Sequence, residues 1–258
     1  MAYYERFDAG AAIYEASRPK LGDQFVKIMH LYHPASLHTL VDVGCGTGLS
    51  TEQLAAHAQE VIGIDANVRM LSIAKKKTNH VMRFMEGNSE ALPLSSHCAD
   101  GIIVSQAFHW MEPQATLQEF GRVLKADGAL FVVDYDWQFM LGAKVELILE
   151  KMRRQLSIWL TREGLDTRPP YSKAGHLTSL KQSRVFRFVR EIHFSQWALF
   201  EARSLWNCEL SKSSVQMLLP QLSGQEKAIL NSFYSQLAEV LPTSIEGCIL
   251  YTCYIGLV

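Results

Sequence analysis

Three glycines on alternate positions, Gly44, Gly46 and Gly48, follow directly on the apolar run Thr39 to Val43 and lead into a segment of helical spacing, Leu49 to His57. Glycine permits the positive-φ backbone of a sharp strand-to-helix turn, and without a side chain it lets a ligand lie against the main chain. The unpaired N–H groups at the start of the following helix favour a negative group such as a carboxylate. The pattern is G-x-G-x-G, with Leu49 where the dinucleotide pattern sets its third glycine. A phosphate-cradling loop would need Gly-Lys-Ser/Thr, which is absent. A second group sits about 20 residues further on, where this architecture places an acid on ribose hydroxyls. There Asp65 ends the apolar run Val61 to Ile64. One carboxylate can accept from both vicinal hydroxyls. The same residue could also cap the helix after it, and the two roles are compatible.

Further candidates stand at the ends of later apolar runs. The loop Ser105-Gln106-Ala107-Phe108-His109-Trp110 follows the run Ala99 to Ser105. An imidazole titrates near neutrality, so His109 could orient or deprotonate an acceptor hydroxyl. Trp110 could wall an acceptor site, or both residues could pack the loop against the sheet. Asp134-Tyr135-Asp136-Trp137 ends the fifth run, where Tyr135 is a candidate acceptor contact. Trp197, Phe200 and Trp206 could line an apolar pocket, although aromatics at such spacing commonly form core.

These groups need a scaffold that delivers them to one edge. Apolar runs at Thr39 to Val43, Glu60 to Ile64, Val81 to Glu86, Ala99 to Ser105 and Ala129 to Asp134 alternate with helical segments at Leu49 to His57, Met70 to Lys77 and Pro113 to Leu124. Asp127-Gly128 reads as a turn. Strand–helix alternation implies parallel strands joined by right-handed crossovers. Nearly continuous apolar runs fit a sheet covered on both faces, and such sheets bind ligands at the carboxyl ends of their strands. In the second half, Lys144 to Thr161, Leu199 to Trp206 and Gly224 to Val240 read as helices, and Val185 to Phe194 and Gly247 to Leu257 as strands. Arg162 to Ser183, with Pro169-Pro170, reads as an irregular segment. The expected organisation is an N-terminal lid segment at 1–38, a binding core at 39–135, and a helical cap insertion with the last strands at 136–258.

Composition limits the partners. Of 258 residues, 48% are hydrophobic and 20% charged, and the formal net charge is −1. That balance removes the broad basic surface of a protein that grips nucleic acid by its phosphates. No leader-like start is visible at residues 1–10, and no apolar run approaches the roughly 18 residues of a membrane span. Cys45, Cys98, Cys208, Cys248 and Cys253 are scattered without a C-x-x-C pair. Reduced thiols in a cytoplasmic protein are the expectation, with no metal cluster.

Together, VDVGCGTG and IGIDAN resemble the first two motifs of class I S-adenosylmethionine-dependent methyltransferases, notably the subgroup containing trans-aconitate and quinone-pathway enzymes. The resemblance covers roughly Leu40 to Asp134. It implies a Rossmann-like, seven-stranded, mostly parallel sheet and S-adenosyl-L-methionine as cofactor. Gly44 and Gly46 match the glycines beside the methionine part, and Asp42 the acid that orders the loop and helps hold the amino group. Asp65 matches the ribose-binding acid, with Ala66 next to it. The stretch EGNSEALP resembles the segment that meets adenine, implying Asn88 and its neighbour Ser89; Asn88 stands where Asp is commoner. Gln106 matches a backbone contact to the cofactor. Tyr14 and Arg18-Pro19 resemble a Tyr-x-x-x-Arg-Pro stretch that folds over the cofactor, with Arg18 gripping the carboxylate and Tyr14 near the methyl end; a guanidinium suits a bidentate grip. The alternative for that stretch is an amphipathic helix packed on the domain.

What the resemblance implies is transfer of a methyl group to a small acceptor, an O, N or C nucleophile such as a carboxylate or phenol. The sulfonium already activates the methyl, so alignment and exclusion of water are the protein's main tasks, and no metal is implied. The alternatives are a catalytically weak S-adenosylmethionine-binding partner protein and a dinucleotide-dependent oxidoreductase, which Leu49 opposes.

Overall fold

β-branched and other apolar residues that cannot meet water on either face dictate the central strands. The computed structural model describes residues 13, 15, 17–33, 37–165 and 169–258. Among them, β1 (Thr39–Val43), β2 (Glu60–Asp65), β3 (Met82–Glu86), β4 (Ala99–Ser105), β5 (Leu124–Tyr135), β6 (Phe188–Phe200) and β7 (Ile245–Leu257) form a seven-stranded sheet of order β3-β2-β1-β4-β5-β7-β6. The first five are parallel and β7 runs antiparallel to β5. Leu40, Val61, Ile102, Ile103, Leu130 and Phe131 are fully buried, as expected of strands covered on both sides.

Helix α1 (Gly22–Tyr32) precedes β1, and the crossovers are α2 (Leu49–Leu54), α3 (Val68–Ala74) and α4 (Pro113–Val123). Sequence explains their starts. Asn67 caps α3 by accepting the N–H groups of Arg69 and Met70, and Glu112 caps α4 just before Pro113 at its first turn. Helix α1 buries Phe25 and Met29, an i, i+4 pair on one face.

Two units divide the chain. The sheet unit comprises 20–135, 169–194 and 251–258. It contains α6 (His176–Ser183) within the segment expected to be irregular. The other comprises the described part of 1–19 with 136–168 and 195–250. It holds α5 (Ala143–Arg162), α7 (Ala202–Leu210), α8 (Ser213–Leu218) and α9 (Gly224–Val240). Along α5, Val145, Ile148, Leu149, Met152, Leu156 and Trp159 form one buried stripe. The boundaries expected at 38 and 135 differ from this division mainly in that 20–38 and 169–194 fall in the sheet unit.

Several elements differ from expectation for physical reasons. Strand β5 begins at Leu124, so Asp127-Gly128 lies inside a strand rather than a turn; the Ala99–Leu124 and Gly101–Ala129 pairings show the irregularity that absorbs the polar residues. The helix expected at Leu199 begins at Ala202, because β6 continues to Phe200. Of the cap aromatics, Phe200 and Trp206 are buried, whereas Trp197 is 62% exposed.

Candidate functional site

Strand order reverses between β1 and β4, which lie side by side, and loops at the carboxyl ends of such a pair frame a crevice. The glycine loop after β1 is one wall. Gly44, Gly46 and Gly48 have φ of +74°, +56° and +82°, a region closed to most side chains. The N–H groups of Gly44 and Cys45 donate to Ile64 O, at 2.7 and 3.1 Å, which fastens the loop to the end of β2. A Cβ at Gly44 would stand 2.5 Å from Ala107 Cβ in the loop after β4. Asp42, near the end of β1, is wholly enclosed. Its Oδ2 accepts from Ser50 Oγ at 2.7 Å and Thr51 Oγ1 at 2.6 Å, tying the start of α2 to the strand. Burial pushes its carboxyl up to about 6, against the pull of the two hydroxyls.

Asp65 is the partly exposed acid of the pair. Its Oδ2 accepts Gly46 N–H and its Oδ1 accepts Asn67 N–H, both at 2.7 Å. Each oxygen keeps a further lone pair, so the carboxylate is aimed by the backbone and still able to accept hydroxyls. Burial pushes its pKa up, opposed by these backbone donors. Ala66 follows it in a half-buried position. Gly87 N–H donates to Asp65 O at 3.1 Å, which brings the loop after β3 alongside. In that loop Asn88 O accepts Ala91 N–H at 3.1 Å, and Ser89 Oγ lies 3.1 Å from Thr116 Oγ1 on α4.

The loop after β4 carries strain. Gln106 has φ +54°, unusual for a residue with a side chain. It is held there by Gln106 N–H to Val133 O at 2.9 Å and by its side-chain Nε2 donating to Tyr135 O at 3.3 Å. Next to it, Phe108–Trp110 form one tight turn that buries Phe108 and His109. His109 Nδ1 lies 3.6 Å from Asp134 Oδ1, near the end of β5. His176 Nε2 lies 3.4 Å from Asp134 Oδ2, and Lys173 Nζ lies 2.9 Å from Oδ1. Burial alone would raise the Asp134 carboxyl, but His109, His176 and Lys173 hold it well below the usual carboxylate range. Burial pushes the His109 imidazole down, against the pull of Asp134.

The structure thus gathers Asp42, Gly44, Gly46, Asp65, Ala66, Asn88, Ser89, Gln106, His109, Trp110 and Tyr135 within one unit. Tyr135 is buried, its ring edge-on to Tyr251 at 5.9 Å, and Trp110 lies 5.4 Å from His109 between ring centres. Arg18 belongs to the other unit. There its guanidinium lies 4.4 Å from the Trp137 ring and donates to Ser211 O at 3.1 Å. Tyr14 lies outside the described residues. Sequence reading missed Lys173 and His176. They occupy a polar segment without periodicity, and nothing in their spacing ties them to His109.

These residues fit S-adenosylmethionine: a positive-φ glycine loop that presents main chain, and a partly exposed acid pre-aimed by Gly46. Fold and glycine loop together resemble those of class I, S-adenosylmethionine-dependent methyltransferase domains. Residues 41–132 match the methyltransferase-domain family. A Saccharomyces cerevisiae protein regarded as an S-adenosylmethionine-dependent methyltransferase, CRG1, is 34% identical over 124 residues, covering 46% of this chain and 43% of that protein. The uncharacterized methyltransferase Rv3342 of Mycobacterium tuberculosis is 28% identical over 127 residues, covering 49% of this chain and 51% of its own length. The matched region thus spans about half the length of these relatives. A solved structure from Anaeromyxobacter dehalogenans, regarded as a type II methyltransferase, superposes with a TM-score of 0.71 at 16% identity, covering 93% of this chain and 97% of that one. That likeness concerns the fold. The name of the yeast relative gives S-adenosylmethionine as the cofactor of that protein.

Among the described residues, no helix is long and apolar enough to cross a membrane.

Proposed function

We propose that this chain transfers a methyl group from S-adenosylmethionine to a small-molecule acceptor through an O, N or C nucleophile, as a cytoplasmic enzyme without a nucleic-acid substrate. The observation that carries the reading is the positive-φ glycine loop at the β1–β4 reversal, joined through Gly46 N–H to the Asp65 carboxylate. When bound, the cofactor supplies a methyl on a sulfonium, whose departure leaves a neutral thioether.

The chain's own residues do the rest. Asp65 holds the ribose hydroxyls, with Ala66 beside it. Gly44 and Gly46 let the methionine part lie against the main chain. Asn88 and Ser89 face the adenine, and Gln106 offers its backbone. Asp42 acts by fixing the loop, since its Oδ2 accepts from Ser50 and Thr51. Trp110 and Tyr135 wall the acceptor, a molecule such as a carboxylate or phenol, and exclude water. His109 takes the acceptor's proton, a task suited to an imidazole that burial keeps neutral.

The test is transfer of labelled methyl from the cofactor into a metabolite extract. A labelled small molecule, lost with Asp65→Ala, is the expected result. Cofactor binding without any label in small molecules would contradict the enzymatic reading.

A further inference from the structure

The geometry points to Asp134 as the positioning residue of His109: with Lys173 as its counter-charge, it holds the imidazole as the neutral tautomer protonated on Nδ1 and leaves the Nε2 lone pair to take a proton. Only the destination of that proton rests on the methyl-transfer reading.

A buried carboxylate is governed by what surrounds it. Oδ1 of Asp134 faces His109 Nδ1 at 3.6 Å, and Oδ2 faces His176 Nε2 at 3.4 Å. The side chains of Asp134, His109 and His176 are 6%, 9% and 2% exposed, so no bulk water relieves a poor contact. A ring nitrogen without its proton would turn a lone pair toward a carboxylate oxygen, which is repulsive in such a setting. The tautomer with N–H on the facing nitrogen avoids that. For His109 this places the proton on Nδ1 and the lone pair on Nε2.

An isolated carboxylate between two imidazoles would draw a proton onto one of them, and a charged His109 has no lone pair to offer. Lys173 prevents this. Its Nζ lies 2.9 Å from Asp134 Oδ1 and donates to Gln106 Oε1 at 2.8 Å, so the pair is already neutral. The lysine therefore has an alternative partner in Gln106. It can yield Asp134 Oδ1 to His109 when the ring gains a proton on Nε2.

The segment bearing Lys173 and His176 is fastened to this site within the same unit. Tyr171 N–H donates to His109 O at 3.3 Å, and Tyr254 Oη donates to Lys173 O at 3.2 Å. Phe108 stands edge-on to His176 at 4.9 Å. Two titratable groups of β7, Tyr254 and Cys253, also feel the Asp134 charge. Burial pushes the Tyr254 hydroxyl up to about 12, and burial and Asp134 push the Cys253 thiol upward as well.

The polar atoms of His109, Asp134 and His176 lie within 4.8 Å of one another, and such a set could ligate a divalent ion. The ammonium of Lys173 already neutralises the carboxylate and would repel a dication, which favours the proton-holding assembly.

The experiment is an imidazole nitrogen-15 NMR titration of the full chain, which needs no acceptor. Expected is a neutral His109 at pH 7 with Nδ1 protonated. Asp134→Asn should move its midpoint down and Lys173→Met should move it up, each by at least about half a pH unit. A packing role would move neither. An Nε2-protonated ring, or midpoints that fail to move in opposite directions, would overturn the proposal. Lys173 is 33% exposed, so its variant keeps the test alive if Asp134→Asn fails to fold. Zinc chloride is added as a separate arm. Stoichiometric shifts of both His109 and His176, lost in Asp134→Asn, would replace the proposal with a metal site. Calorimetry with S-adenosylhomocysteine on the same samples separates the two readings: absent binding with the tautomer intact sinks the methyltransferase assignment alone.

Discussion

Asp42 and Asp65 stand at the ends of neighbouring strands and do opposite work. Asp42 is sealed and commits its oxygen to Ser50 and Thr51, whereas Asp65 is partly exposed and aimed by two backbone donors. Asp65→Ala should therefore weaken S-adenosylmethionine binding at least about tenfold, the loss of charge-assisted hydrogen bonds worth roughly 1.5 to 3 kcal/mol; calorimetry reads it. Asp42 predicts a pH effect. Its folded pKa, about 6, lies above the ordinary 3.8, so the folded state binds the proton more tightly. That contribution is full below 3.8 and is lost as pH rises through about 6. Asp42→Asn cannot ionise and can still accept from both hydroxyls. Relative to the parent it should gain stability between about pH 4 and pH 7, by roughly 3 kcal/mol at most, measured by urea unfolding across that range. A pH-independent difference would contradict the assignment. The glycine loop and both acids were legible in the sequence because a turn of this kind restricts residue type. The Lys173 and His176 contribution was not, since long-range pairing to Asp134 leaves no mark on local spacing.

Elements were legible where burial imposes a pattern. Strands β1, β2 and β4 announced themselves as continuous apolar runs, and α9 matched its expected bounds Gly224–Val240 because Ser223 and Glu226 form a capping box. Where burial is one-sided the reading slipped. β6 alternates half-buried and exposed residues over Phe188–Phe200, and its end was taken for a helix. Helix α6 is only 8 residues long and sits in a polar stretch that offered no periodicity. The cap on α3 makes a prediction at this scale. Asn67→Ala removes the acceptor for Arg69 and Met70 N–H and should cost about 1 kcal/mol, with Asn67→Gly costing only a few tenths. Denaturant midpoints decide it, and equal losses would mean that the side chain matters for something other than capping.

At the scale of the whole molecule, the parallel sheet brings loops from distant parts of the chain to one reversal point, and packing against the surrounding elements seals most of the thiols. Cys45, Cys208, Cys248 and Cys253 are buried and Cys98 is half-buried, all unpaired. A thiol reagent should label Cys98 alone at a fast rate in the native protein and all five cysteines in denaturant; fast native labelling of Cys253 would contradict the core described. The fold class was legible in the sequence because strand–helix alternation admits few arrangements. A helical cap apart from the core was expected within 136–258, and its two segments, 136–168 and 195–250, are separated by a segment that belongs to the sheet unit. The most direct test of the central claim is calorimetric titration of the full chain with S-adenosylhomocysteine and, separately, with NADH. One S-adenosylhomocysteine bound per chain, weakened by Asp65→Ala, with no heat from NADH, is the predicted result. NADH binding without S-adenosylhomocysteine binding would contradict it.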